Sequence, residues 1–200
     1  MHSIKQIKTG TTASKTGFTA RKYRFPDESG VSKLLAVHMK SDDHWPPAYA
    51  RENWNLSEWM AFHSDLGRWV AHDERGVIVG HAGISSVPAG PEADLWMREL
   101  SCDITRLAEI ARLIVSPQVR LSGVSGLMTR RCVRNAVEQG FVPVANAYAS
   151  ATSSLKMMTN CGWRIVGKVF NEDAQSELCM LIPPQKLVDA AFAVNRSRIT

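Results

Sequence analysis

The chain has 200 residues, is 44% hydrophobic and 22% charged, and carries 13 Gly, 9 Pro and a formal net charge of +5, a profile that excludes a disordered polymer, a collagen-like rod and a disulfide-stapled miniprotein. A chain this long buries roughly 70% of its unfolded surface and holds one core without metal or disulfide, so one domain is expected over 18–200, after a flexible basic tail over 1–17. No apolar run reaches the roughly 20 residues of a membrane span, and 1–17 lacks the apolar centre of a secretory signal, so a cytoplasmic protein without membrane contact is expected.

Phe18, Ala20, Tyr23 and Phe25 predict a first strand, which Pro26 to Gly30 break. Asp27 or Ser29 then caps a helix with the stripe Val31, Leu34, Leu35 and His38 to Met39. Residues 41–49 read as a loop, and Trp54, Leu56, Trp59, Met60 and Phe62 as a second short helix. Trp69 to Ala71 and Val77 to Ile84 form a hairpin around a Gly76-containing turn. Ser85 to Asp94, rich in Pro, Gly and Ser, is expected to be a long loop, with 95–107 left unassigned. Glu109 to Val115 is a buried strand ended by Ser116-Pro117. Val124 to Gln139 is an amphipathic helix stopped by Gly140. Phe141 to Ala147 is a central strand, and Ser150 to Asn160 a helix ending before Gly162. Trp163 to Phe170 and Glu177 to Ile182 are paired strands, and Lys186 to Val194 a closing helix. The order describes an α/β (α+β) domain, one mixed sheet with helices on both faces.

The charge excess comes from two stretches without acids, Met1 to Pro26 and Leu113 to Val137. The second, with Arg120, Arg130, Arg131 and Arg134, spans a Gly/Ser loop that leads into a helix, where a phosphate-bearing ligand gains from positive charge. Aromatics are not interleaved with these arginines, which argues against nucleic acid; Arg130, Arg131 and Arg134 read as a solvated helix face. Cys102, Cys132, Cys161 and Cys179 form no C-x-x-C pair. They are expected to be buried thiols, and no metal site is expected.

The segment from Ala108 to Met128 is a strand aimed at a helix N-terminus through a glycine-containing turn. Unpaired N–H groups there, the helix dipole and Arg120 make an anion cradle suited to a pyrophosphate, with Gly123 and Gly126 allowing close approach. The loop is neither a Walker A sequence nor a nucleophile elbow.

In these residues the chain resembles the GNAT (Gcn5-related N-acetyltransferase) superfamily, whose signature Gln/Arg-x-x-Gly-x-Gly/Ala follows a strand ending in Val-x-Pro. Val115-Ser116-Pro117 and Arg120-x-x-Gly123-x-Ser125 fit, Ser125 departing from the usual Gly or Ala. Val77 to Ala82 resembles the family's hairpin strand, and Cys161-Gly162-Trp163 its glycine followed by an aromatic residue. The element order agrees from Phe18 to Ile182. The resemblance implies a mostly antiparallel sheet splayed between its fourth and fifth strands. It also implies acetyl-CoA as cosubstrate, bound by Leu113, Ile114 and Val115 and by Arg120, Leu121, Ser122, Gly123, Val124, Ser125 and Gly126.

Glu109 stands where several members carry the base that deprotonates the amine; the alternative is a structural pair with Arg98 or Arg112. His44, Trp45, Tyr49 and Trp54 fall in the region that lines the acceptor site, against the alternative of core lids, and His72 and His81 read as structural hairpin residues. Where many members have a Tyr that protonates the departing thiolate, this chain has Met158, and Ala151 replaces an asparagine. Tyr148, Ser150, Ser154 or water would then supply the proton, or the thiolate leaves unassisted. The implied activity is acetyl transfer to a primary amine of a small molecule or peptide in a ternary complex. The rival readings are a non-catalytic CoA-binding or regulatory protein and, further off, a basic nucleic-acid-associated module. The acceptor and any homodimer are left open.

Overall fold

A computed structural model describes residues 17–40, 66–172 and 174–199. The described elements are β1 (Thr19–Lys22), α1 (Glu28–Met39), β2 (Gly67–His72), β3 (Ile78–Ser86), α2 (Pro91–Leu100), β4 (Leu107–Val115), α3 (Val124–Gln139), β5 (Val142–Tyr148), α4 (Thr152–Asn160), β6 (Arg164–Asn171), β7 (Ser176–Ile182) and α5 (Gln185–Ile199). The expected tail over 1–17, except Gly17, the loop over 41–49 and the helix at 54–62 lie outside the described residues.

Seven strands form one sheet in the order β1-β2-β3-β4-β5-β7-β6. All neighbours are antiparallel except β4 and β5. Local chemistry explains the turns. Asp73 Oδ1 accepts from the N–H groups of Arg75 and Val77 and closes the β2–β3 hairpin, and Gly140 at φ +86 ends α3.

Two layers of helix cover the sheet. On one face α3 buries Val124, Leu127, Met128, Cys132 and Ala136 against Ala82, Ile84, Ala108 and Ile110, joined by Met158 of α4 and Trp163. On the other, α1 lays Val31, Leu34 and Leu35 over Val70 and Ile114. Beside it, α2 lays Ala93, Leu95 and Trp96 over Leu107, Val144 and Met180, with Val188 and Ala191 of α5. Gly80 is required under α3, because a Cβ there would stand 2.9 Å from Val124 Cγ1.

Two expectations are corrected. The long loop over Ser85 to Asp94 is a short one, since β3 runs to Ser86 and α2 starts at Pro91. Proline in the first helical turn lacks only an N–H that would have no partner there, so it opens a helix that Ala93 and Trp96 anchor on one side. The cysteines are not uniformly buried: Cys132 and Cys179 are, Cys102 is partly so, and Cys161 is exposed after α4. No helix among the described residues is long and apolar enough to cross a membrane.

Candidate active site

Strands β4 and β5 pair in parallel only from Leu107 to Ile110, opposite Val142 to Ala145. Beyond that point β5 is paired with β7, through Tyr148 opposite Leu178, while β4 continues along β3 to Val115. The sheet therefore splays, and the backbone of β4 past Ile110 presents groups on its β5 side that no strand pairs. This is the expected splay, and Leu113, Ile114 and Val115 lie on it.

Strand β4 also carries a bulge. Ala111 is opposite Gly83 and Ile114 opposite His81, so Arg112 and Leu113 together face the single Ala82. Arg112 takes φ +53 to do so, a conformation costly for a residue with a side chain and a device that re-aims a strand.

After Ser116 and a 3-10 turn at Pro117–Val119, the loop reaches α3. Gly123 sits at φ +87 with nothing within 4 Å of where its Cβ would be. The first helical bond runs from Leu127 N–H to Gly123 C=O. The N–H groups of Val124, Ser125 and Gly126 precede it and point out of the helix end. Arg120 and Leu121 are exposed beside them, Leu121 at φ +65 with its side chain in solvent. Donors without helical acceptors, an uncovered Gly123 and an exposed guanidinium together fit the pyrophosphate of an acyl-CoA. Among the described residues no group of His, Cys, Asp and Glu is arranged to hold a metal.

On the opposite sheet face, that of Val144 and the α2 core cluster, lies Glu109. Asn146 Nδ2 donates to Glu109 Oε1 at 2.9 Å and to Glu92 Oε2 at 3.3 Å, and Asn171 Nδ2 donates to Glu92 Oε1 at 2.9 Å. Two carboxyls thus share one amide at the splay. Ser85, across the β3–β4 ladder from Glu109, is buried with its hydroxyl unpartnered. Glu109 is 9% exposed. Burial first, then repulsion from Glu92, raise its carboxyl to about 7, against the opposing pull of Arg112 and of the Asn146 bond. A carboxyl held there takes and gives protons near neutrality. Of the two expected structural partners, Arg112 acts on Glu109 through its charge, while Arg98 lies 3.8 Å from Glu99.

Tyr148 lies on the same alternating row of β5 as Val144 and Asn146, half-buried beside the α2 core cluster. Met158, in the usual place of the acid, is 5% exposed in the α3-side core. Ser150 and Ser154 are exposed. His44, Trp45, Tyr49 and Trp54 lie outside the described residues. Sequence reasoning missed Glu92, Asn146 and Asn171. Asn146 carried a signal, being two positions after Val144, the residue opposite Glu109 in the ladder, and so on its face by strand alternation.

A family model described as acetyltransferase (GNAT) family matches residues 34–163. No curated relative matches the chain. Solved structures of similar fold include a GCN5-related N-acetyltransferase from Kribbella flavida, 15% identical, with TM-score 0.64, covering 86% of this chain and 99% of that one. YncA from Salmonella typhimurium, solved with its cofactor acetyl-CoA, is 14% identical, with TM-score 0.61 and coverage of 82% and 92%. A chimera of the spermidine N-acetyltransferase SpeG from Vibrio cholerae with hSSAT is 13% identical, with TM-score 0.57 and coverage of 86% and 99%.

Proposed function

The chain belongs to the acetyltransferase (GNAT) family, and from that premise we propose that it transfers an acetyl group from acetyl-CoA to a primary amine within a ternary complex. The observation that carries this reading is Glu109, a carboxyl raised to about 7 at the mouth of the β4–β5 splay. An alkylammonium is not nucleophilic; the base must remove its proton before the nitrogen attacks.

Acetyl-CoA would supply an acetyl group activated as a thioester. Its pyrophosphate would be held by the N–H groups of Val124 to Gly126 with Arg120, alongside Leu121, Ser122 and Gly123, and its pantetheine arm by the backbone of Leu113, Ile114 and Val115. Glu109 takes the acceptor's proton at Oε2, the oxygen to which Asn146 does not donate, directly or through a water. Glu92 keeps the Glu109 carboxyl from ionising too early, and Asn146 fixes its orientation. Tyr148, at the end of β5, is the residue of this chain suited to protonate the thiolate. A thiol pKa near 8.5, by analogy with cysteine, also lets the thiolate leave without help.

The acceptor, we infer, enters past His44, Trp45, Tyr49 and Trp54, which follow α1 in the chain. A polyamine, the substrate named for one similar structure, and a peptide amine are the classes to try first. Met158 in the core favours one second reading, a CoA-binding protein without transferase activity. Acetyl-CoA-dependent release of free thiol across an amine panel decides: release that needs an amine and is lost in Glu109→Gln supports the enzyme, and tight CoA binding with no release from any amine supports the alternative.

A further inference from the structure

His81 is wholly buried on β3, beneath α1 and between β2 and β4. Its Nδ1 lies 3.0 Å from the carbonyl oxygen of Arg112, the residue at φ +53 that forms the β4 bulge. A carbonyl can only accept, so Nδ1 carries the proton and Nε2 is left as an acceptor. Arg68 Nε, on β2, donates to that Nε2 at 3.4 Å, and the Arg68 guanidinium is itself stacked 3.8 Å over the Tyr23 ring. One imidazole thus ties the flank of the sheet to the carbonyl of Arg112 in the β4 bulge.

We propose that His81 is a positioning residue for the acyl donor: by holding the Arg112 carbonyl it fixes the bulge, and the bulge turns the backbone of Leu113 to Val115 toward the pantetheine arm. This rests on the assignment of those residues to acetyl-CoA. The role is distinct from that of a filler of the core. A leucine would fill the same space but remove the Nδ1–H donor to the Arg112 carbonyl and, with it, one restraint on the positive φ of the bulge. Burial drives the His81 pKa down to about 3, so the ring stays neutral and keeps one donor and one acceptor across the working pH range.

Two substitutions of similar size and polarity separate the two hydrogen bonds. His81→Asn keeps an amide donor near the Nδ1 position, and His81→Gln places its amide near Nε2, beside Arg68. Calorimetry with acetyl-CoA should give affinity within about twofold of wild type for Asn, and a loss of about three- to tenfold for Gln, the scale of one organising hydrogen bond. The acceptor KM should stay unchanged in both. His81→Leu should lose at least as much affinity as Gln; where it does not fold, the Asn and Gln pair alone decides. Equal affinity in the two variants, whether both intact or both reduced, would overturn the proposal, because a purely structural histidine lowers melting temperature without distinguishing them. A wild-type chain that does not bind acetyl-CoA would instead overturn the parent assignment.

Discussion

Replacing Glu109 by Gln tests the site and the electrostatics together. The folded-state carboxyl stands near 7, against an ordinary 4.5. Between those values the folded chain holds a proton that the unfolded chain has released, so wild-type stability falls as pH rises through this window. Above it the ionised, buried carboxylate costs the fold about 3 kcal/mol. Gln is neutral in both states, keeps the acceptor for Asn146 Nδ2, and escapes that cost. For a chain of this length about 1 kcal/mol moves the melting temperature by roughly 2–4 °C. The variant should therefore gain roughly 6–12 °C on wild type between pH 4.5 and pH 8, measured by thermal melts of both proteins in matched buffers. In the same preparations kcat at pH 7 should fall by about 10² to 10⁴, and the deficit should shrink at high pH, where more acceptor is already neutral. Acetyl-CoA affinity should hardly move. A melting difference flat with pH would refute the raised pKa, and full activity at neutral pH would end the assignment of Glu109 as the base.

Glu92→Gln leaves the burial of Glu109 but removes the charge that adds to it in raising the carboxyl, so the ascending limb of kcat/KM should move to lower pH; Arg112 and Asn146, which also act on Glu109, are untouched, and a limb that stays in place would mean that Glu92 does not contribute to it. Arg120→Ala should weaken acetyl-CoA binding several-fold in calorimetry. Gly123→Val should abolish it, since valine is strained at φ +87 by about 1–3 kcal/mol and its branches would cover the open surface. Unchanged affinity in both would move the cradle elsewhere. Replacing Trp45 and Tyr49 by Ala should raise the acceptor KM while leaving that for acetyl-CoA within a few-fold, and the reverse pattern would place the acceptor elsewhere.

The sequence carried the sheet because its strands have a periodicity that burial imposes locally. The hairpin at Trp69 to Ile84, the helix at Val124 to Gln139 and the stop at Gly140 all rest on neighbours in the chain. The helix at Pro91 to Leu100 did not show through. Its Pro and Gly are punctuation that opens a helix as readily as it marks a loop, and what settles the matter is distant: Trp96 has its place only once Leu107, Val144 and Met180 are assembled beneath it. Cys161 misled for a related reason, since a free thiol's usual burial says nothing about a residue in the turn after α4.

The site divides in the same way. The proposed cradle is contiguous, so Arg120 to Gly126 could be read from a loop followed by a helix N-terminus. The carboxyl pair is not. Glu92 precedes Glu109 by a helix and a turn, Asn171 follows Asn146 by a helix and a strand, and the four meet only because α2 packs beside a sheet that opens between β4 and β5. Part of the perturbation of Glu109 was legible, since burial of its strand shows in the local sequence; the charge of Glu92 that adds to it is a property of that meeting alone. Met158 follows from the same geometry. Its side chain belongs to the α3-side core while Glu109 and Tyr148 share the other face of the sheet. In this chain the conventional position for a proton donor therefore contributes packing, and on the proposed reading the protonating group is sought on the face that carries Glu109.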